Sequence, residues 1–396
     1  MEFLRNNSLT DTTYEEFAQM FTADLFDPDE WAKIFLDSGA KYVVFTAKHH
    51  DGFALYPSQS RFWNSVNVGP KKDIVKMLSE SMTKCNMKFG VYYSLSEWFN
   101  TMYTHDRGNL FGTTAYTDKI VWPNIKFLIN NYKPSILWAD GDGDVNDTYW
   151  KSPELLTWLY NESPVKDEIV VNDRWGKGIS CHHGDFYNCK DRYNPRHLVP
   201  HKWENVFTLD RHSRGFRRNV QPEDVLSIEA LLETIVTTVS CGGNALITIG
   251  AQEDGTITPI FQERLMKLGE WLEDNGEAIY DTSPWFHQRD SLNTNAWYTC
   301  KKKEYNGNNP IATPAPKGNL ITAIYVIFLQ WPHDNKLRIR DLAQYVNSES
   351  VFVMLKREGR SNSLKHEISP KGTLVIHLVN ISSETSTYAW VVKISQ

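Results

Sequence analysis

Ser135-Ile136-Leu137-Trp138-Ala139-Asp140 is the stretch on which the fold turns. Four successive apolar residues, Ile136 to Ala139, leave no polar face, the pattern of a strand covered on both sides inside a parallel sheet. The run ends in one acid followed by Gly141. A polar group at the C-terminal end of such a strand is where α/β barrels carry their chemistry.

Working outward, the same unit repeats. Residues 122–132 before this strand and 152–161 after it have helical periodicity. Further strand candidates are 41–46, 88–94, 168–174, 185–189, 203–209 and 245–250; further helices are 73–86, 223–239 and 257–275. Asp27-Pro28-Asp29-Glu30 supplies an N-cap, a proline at the first helical position and a capping-box glutamate. Strand-then-helix repetition predicts the α/β class and a (β/α)8-like TIM barrel. Seven strands are legible, so the first strand of eight reads as missing. After Ser283-Pro284 the strand runs 295–302, 321–329, 351–356, 374–379 and 388–394 follow one another with turn residues between them and no helix. That predicts a C-terminal antiparallel β-sandwich. The expected domains are 1–284 and 285–396.

Composition narrows the partners. With 396 residues and a formal net charge of −6, the chain lacks the basic footprint of a nucleic-acid binder. Its longest apolar run, residues 321–329, is far too short to span a membrane. Fourteen Trp and eighteen Tyr suit either a large aromatic core or stacking on sugar rings. Five cysteines form no CxxC pair, and Cys181 and Cys189 are a candidate disulfide. Asn6-Asn7-Ser8, Asn146-Asp147-Thr148 and Asn380-Ile381-Ser382 read as glycosylation acceptors, whereas the residues after Met1 do not form a signal segment.

The ends of the strands are dense in polar and aromatic groups: Lys48-His49-His50-Asp51-Gly52-Phe53, Tyr92-Tyr93-Ser94, Glu97-Trp98-Phe99, Asn172-Asp173-Arg174-Trp175 and His201-Lys202-Trp203-Glu204. A metal held by both His49 and His50 is disfavoured, because neighbours on a strand point to opposite faces. Asp140-Gly141-Asp142-Gly143-Asp144 begins like a calcium loop, but Val145 and Lys151 occupy the sixth and twelfth positions. No metal and no cofactor is expected.

These motifs, with Gly184-Asp185-Phe186-Tyr187-Asn188-Cys189 and Pro259-Ile260-Phe261-Gln262-Glu263-Arg264-Leu265, resemble the animal α-L-fucosidases of glycoside hydrolase family 29. The resemblance implies retaining hydrolysis of terminal α-L-fucose from fucosylated glycans, in a lysosome or outside the cell. It implies Asp140 as nucleophile and leaves Asp191 and Glu204 as alternatives for the acid/base, with Asp191 preferred. It further implies His49, His50, Tyr92, Trp138, Arg174 and Trp203 around the sugar, with Tyr92 or Trp138 over the fucose methyl and Trp203 giving Glu204 an apolar setting. A homo-oligomer is compatible with it.

The sequence also departs from that family. The His-Trp-Gly strand and the Glu-Trp segment that open the family's barrel are absent before Phe17, which agrees with the strand count and implies an N-terminally short, impaired chain. Asp142-Gly143 replaces Glu-Trp, and Arg214 stands where Trp is usual. The competing expectations are a fucose-binding homologue without activity and a metal-dependent hydrolase.

Overall fold

A computed structural model describes residues 13–59, 61–302, 321–355, 363–378 and 388–395. It divides into two compact units, residues 1–36, 40–189 and 251–258, and residues 37–39, 190–250 and 259–396.

The first unit is built on a parallel sheet. Its strands β1 (Tyr42–Lys48), β2 (Lys88–Ser94), β3 (Ile136–Asp140) and β4 (Val170–Val171) lie side by side in that order. β2 is buried along both faces after its first residue, as the apolar run requires. Gly90 lets the strands approach closely: a Cβ there would lie 2.8 Å from Ile136 Cβ. The register sets Ser94 beside Asp140, so β2 and β3 end level. Helices Ile74–Lys84, Trp122–Tyr132 and Ser152–Asn161 match the periodicity, and their apolar residues join those of the strands in one core. The Asp27 side chain accepts the N–H groups of Asp29 and Glu30 at 2.9 and 3.2 Å, the expected cap of helix Pro28–Asp37. Helices Thr101–Gly108 and Asp147–Trp150 are additions to the expected set.

In the second unit β5 (Trp203–Thr208) pairs in parallel with β6 (Gly243–Thr248), and helix Ile228–Ser240 connects them. The helix begins later than expected because Ser227 caps it, accepting from Ala230 N–H, while Pro222–Asp224 is a separate 3-10 turn. Helix Pro259–Asn275 follows. The rest is antiparallel. β7 (Ser283–Arg289), β8 (Ala296–Lys302), β9 (Ile321–Phe328), β11 (Val351–Met354) and β14 (Trp390–Ser395) form one sheet, in the order β11-β14-β9-β8-β7. β10 (Lys336–Ile339), β12 (His366–Ile368) and β13 (Leu374–His377) form the other, in the order β10-β13-β12. Tyr298, Val326, Phe328 and Val392 of the first sheet share a core with Leu337, Ile339, Leu374 and Ile376 of the second, which is the expected sandwich.

One expected strand is corrected. Residues 185–189 form no strand element. The buried Asp173 carboxylate accepts the N–H groups of Asn188 and Cys189, at 2.9 and 3.1 Å, and that of Cys181 at 2.7 Å. These donors therefore go to a side chain instead of a ladder. Cys181 and Cys189 are disulfide-bonded. Of the glycosylation triplets, Asn146 caps helix Asp147–Trp150 and is exposed; Asn6 and Asn380 lie outside the described residues.

The sandwich hangs on one acid. Buried Asp290 accepts from Leu292 N–H and Asn293 N–H on one oxygen, and from the Tyr298 hydroxyl, Arg340 N–H and Asp341 N–H on the other. It joins the β7–β8 hairpin of one sheet to the end of β10 in the other. Asp290→Ala strands the buried Tyr298 hydroxyl and four part-buried N–H donors, a buried donor left unpaired costing about 1–3 kcal/mol. The variant should lose about 3 kcal/mol or more of stability, read as a lower denaturation midpoint, and an unchanged midpoint would refute this account of the hub.

Candidate active site

Asp140 ends β3, and its side chain is 14% exposed. The Tyr92 hydroxyl donates to its Oδ2 at 2.7 Å, and Arg174 Nη1 donates to its Oδ1 at 3.0 Å. Burial opposes the charge on Asp140. The Arg174 guanidinium, the Tyr92 hydroxyl and the Gly141 N–H outweigh it and hold the carboxyl below its ordinary range. His50 Nε2 lies 3.7 Å from Oδ2. The His50 ring packs at 4.1 Å from that of His49 and 5.5 Å from that of Trp98.

His49 stacks on Tyr92 at 5.6 Å, and Tyr92 stacks on Trp138 at 5.5 Å. Trp138 is 1% exposed, with the Arg174 guanidinium 4.9 Å above its ring. It lies beneath Tyr92 and Arg174 as their support.

The histidines follow directly on β1, and a buried ion pair fixes that end of the strand. Lys48 Nζ donates to Glu97 Oε1 at 2.9 Å, and Asn100 donates to Glu97 Oε2 at 2.9 Å. Burial holds Lys48 below the ordinary lysine range, against the pull of Glu97. The Trp98 N–H donates to the His50 carbonyl at 2.8 Å. Two residues beyond the acid, Asp142 is also buried; burial, aided by the charge on Asp140, pushes it up, while an N–H from Gly176 opposes this.

Sequence reasoning assigned no role to Ser94, Glu97, Gly141 or Asp142. A lone small or acidic residue gives no signal of the partner that the fold brings to it.

The two acid/base candidates both lie in the second unit, Glu204 on β5 and Asp191 in the loop before it. Glu204 is the second residue of that strand, 3% exposed, and it accepts from Asn244 Nδ2 at 3.4 Å. Trp203 precedes it on the strand, so the two side chains point to opposite faces. The Trp203 ring packs against Gly243 and donates to the Cys241 carbonyl at 3.2 Å, so the apolar setting expected for Glu204 does not come from this ring. Asp191 sits in the preceding loop with its side chain 55% exposed, 2.5 Å from Arg214 Nη2. The next residue, Arg192, anchors that loop on the later part of β5. Its N–H donates to the Val206 carbonyl at 3.0 Å, and its Nη2 donates to Thr208 Oγ1 at 3.0 Å.

Among the described residues, one group of His, Cys, Asp and Glu has metal-like spacing: Asp173, Cys181 and Cys189. Its two sulfurs are bonded to each other.

Comparison with known proteins bears on the whole chain. The family model described as alpha-L-fucosidase matches residues 1–277, and the one described as alpha-L-fucosidase C-terminal domain matches residues 288–395. The tissue alpha-L-fucosidase of Macaca fascicularis is 42% identical over 396 residues, covering 99% of this chain and 80% of that protein. The human plasma alpha-L-fucosidase is 46% identical over 339 residues, covering 85% and 69%. The structure of Thermotoga maritima alpha-fucosidase in complex with fucose aligns with a TM-score of 0.76 at 31% identity, covering 99% of this chain and 84% of that one. Together with the parallel and antiparallel sheets, this makes the fold a TIM-barrel-type α/β domain followed by an antiparallel β-sandwich. With both family models matched and such identity sustained along its length, the chain belongs to the α-L-fucosidase family.

Proposed function

We propose that this chain hydrolyses terminal α-L-fucosides of glycans with retention of configuration. The observation that carries the reading is the half-buried Asp140, held towards its charged form and gripped on one oxygen by Arg174 and on the other by Tyr92. In the first step an Asp140 oxygen bonds to the anomeric carbon. The bond to the glycan oxygen breaks, and that oxygen takes a proton from the acid/base. In the second step water gives its proton to the same group and attacks the anomeric carbon, releasing Asp140. His49, His50, Tyr92 and Arg174 hold the sugar hydroxyls.

Asp191 is the acid/base in this reading. Its loop is tied to the later residues of β5, the end at which such folds place their chemistry, whereas Glu204 lies at the strand's beginning. The catalytic domain spans residues 1–284 and the sandwich 285–396. A lysosomal or secreted location is supported by the Cys181–Cys189 disulfide, a bond of oxidising compartments, and by the tissue and plasma relatives. No helix among the described residues is long and apolar enough to cross a membrane.

Asp140→Ala should keep the fold and lower kcat on an aryl α-L-fucoside at least about a thousandfold, some 4 kcal/mol of barrier. Substantial residual turnover would remove it as nucleophile.

Tyr92→Phe tests the electrostatics. Asp140 is held low, so it stays ionised into acid. Deleting one donor raises it, and less of it is charged at a given acidic pH. The acid limb of kcat/KM should move to higher pH; a limb that stays put, or moves down, contradicts the role given to the Tyr92 hydroxyl.

The acid/base variants separate by leaving group. Asp191→Ala should lose most activity on poor leaving groups, keep more on good ones, and be rescued by azide. Rescue confined to Glu204→Ala would transfer the role to Glu204.

A further inference from the structure

Ser94 is fully buried and sits beside the nucleophile in the β2–β3 register. Its hydroxyl oxygen lies 2.7 Å from the Ser96 carbonyl oxygen and 2.6 Å from His50 Nδ1. A carbonyl oxygen can only accept, so a contact that short requires the one proton of Ser94. The oxygen of Ser94 is then left to accept, and Nδ1 must be the donor. Little room exists for another arrangement. A Cβ at Gly141 would lie 2.6 Å from Ser96 Oγ, 2.9 Å from Ser94 Oγ and 3.0 Å from His50 Nδ1, and Gly141 has a φ of +72°. The turn after the nucleophile is thus pressed against these three groups. The His50 main chain is held separately, through the Trp98 N–H.

We propose that Ser94 is a positioning residue that fixes the tautomer of His50. Neutral His50 carries its proton on Nδ1 and presents Nε2, 3.7 Å from Asp140 Oδ2, as an acceptor. With no proton there, Nε2 can take a hydrogen bond from a hydroxyl of the sugar lying against the nucleophile. The opposite tautomer would present a third donor in a site already supplied with the Tyr92 hydroxyl and the Arg174 guanidinium. Ser94 therefore acts through His50 and does not touch substrate. The catalytic consequence rests on the proposed fucosidase reading; the tautomer itself does not.

The test is a long-range proton–nitrogen correlation spectrum of the full chain with isotopically labelled histidine. It is recorded about two pH units above the ordinary histidine value so that the ring is neutral, and His50 is assigned from the signals lost in His50→Gln. The expected pattern is protonated Nδ1 with bare Nε2. Ser94→Ala should shift His50 towards the Nε2-protonated form and lower kcat/KM on an aryl α-L-fucoside about tenfold, or about 1.4 kcal/mol. Ser94→Thr, which keeps the hydroxyl, should restore both. A wild-type His50 protonated on Nε2 overturns the proposal, even if Ser94→Ala fails to fold. So does a Ser94→Ala variant that loses activity with its tautomer unchanged, since that is loss of packing. The expected tautomer in a chain without fucosidase turnover would uphold the assignment to Ser94 and defeat the functional reading instead.

Discussion

A carboxylate removed from most of its water stays charged only if the protein supplies the missing donors. Much of the first unit can be understood from that requirement at Asp140. No single strand provides the donors. Tyr92 comes from β2 on one side of β3, and Arg174 follows β4 on the other. The order β2-β3-β4 is therefore what makes the charge tenable. Alternation along β2 divides the labour further. Tyr92 and Ser94, two residues apart, serve the site, one through Asp140 and one through His50. Tyr93, between them, is fully buried and lies under the Lys48 ammonium at 4.3 Å. A slip of one residue would exchange these faces and remove both contacts.

What could be read from the sequence follows from what fills each element. β2, β3, β9 and β14 are apolar runs covered by neighbours on both sides, and their pattern survives without knowledge of the fold. β7, β10 and β12 were not anticipated, and each lies at the edge of its sheet. Their residues include Lys336, Arg338, His366, Glu367 and Arg289, charges that suit an edge and break the apolar signal. The segment 185–189 fails in the opposite sense. Its composition reads as a strand, but the Asp173 carboxylate captures the N–H groups of Asn188 and Cys189, and no local pattern announces a partner more than ten residues away.

The site divides in the same way. Asp140, Tyr92, Arg174, His49 and His50 were legible because strand ends concentrate chemistry, and these residues do converge. Trp138 and Trp203 were singled out as aromatic and near the motifs. Both are interior side chains, one under Arg174 and one against Gly243. An aromatic residue in a motif has two uses, packing and stacking, and sequence does not separate them.

The loop between β4 and β5 carries the remaining difficulty. It runs from Asn172 to Lys202 with hardly any ladder to stiffen it, so its main chain has to be held by other means. The chain meets this with short-range clamps. Asp173 gathers three backbone donors, and the Cys181–Cys189 disulfide closes the same turn. Past Lys190, Arg192 adopts a left-handed φ of 55° and fastens its N–H and guanidinium to β5 and to the Arg211 carbonyl. Asp191 sits immediately before that anchor, and Arg214 reaches back to it. A half-exposed side chain is thus carried on a backbone with fixed points on either side of it. The carboxyl keeps contact with water and with the Arg214 guanidinium, while its main chain is held in place. Glu204, sealed at the beginning of a strand, has the opposite character: its position is fixed by the sheet itself, and its access to solvent is lost.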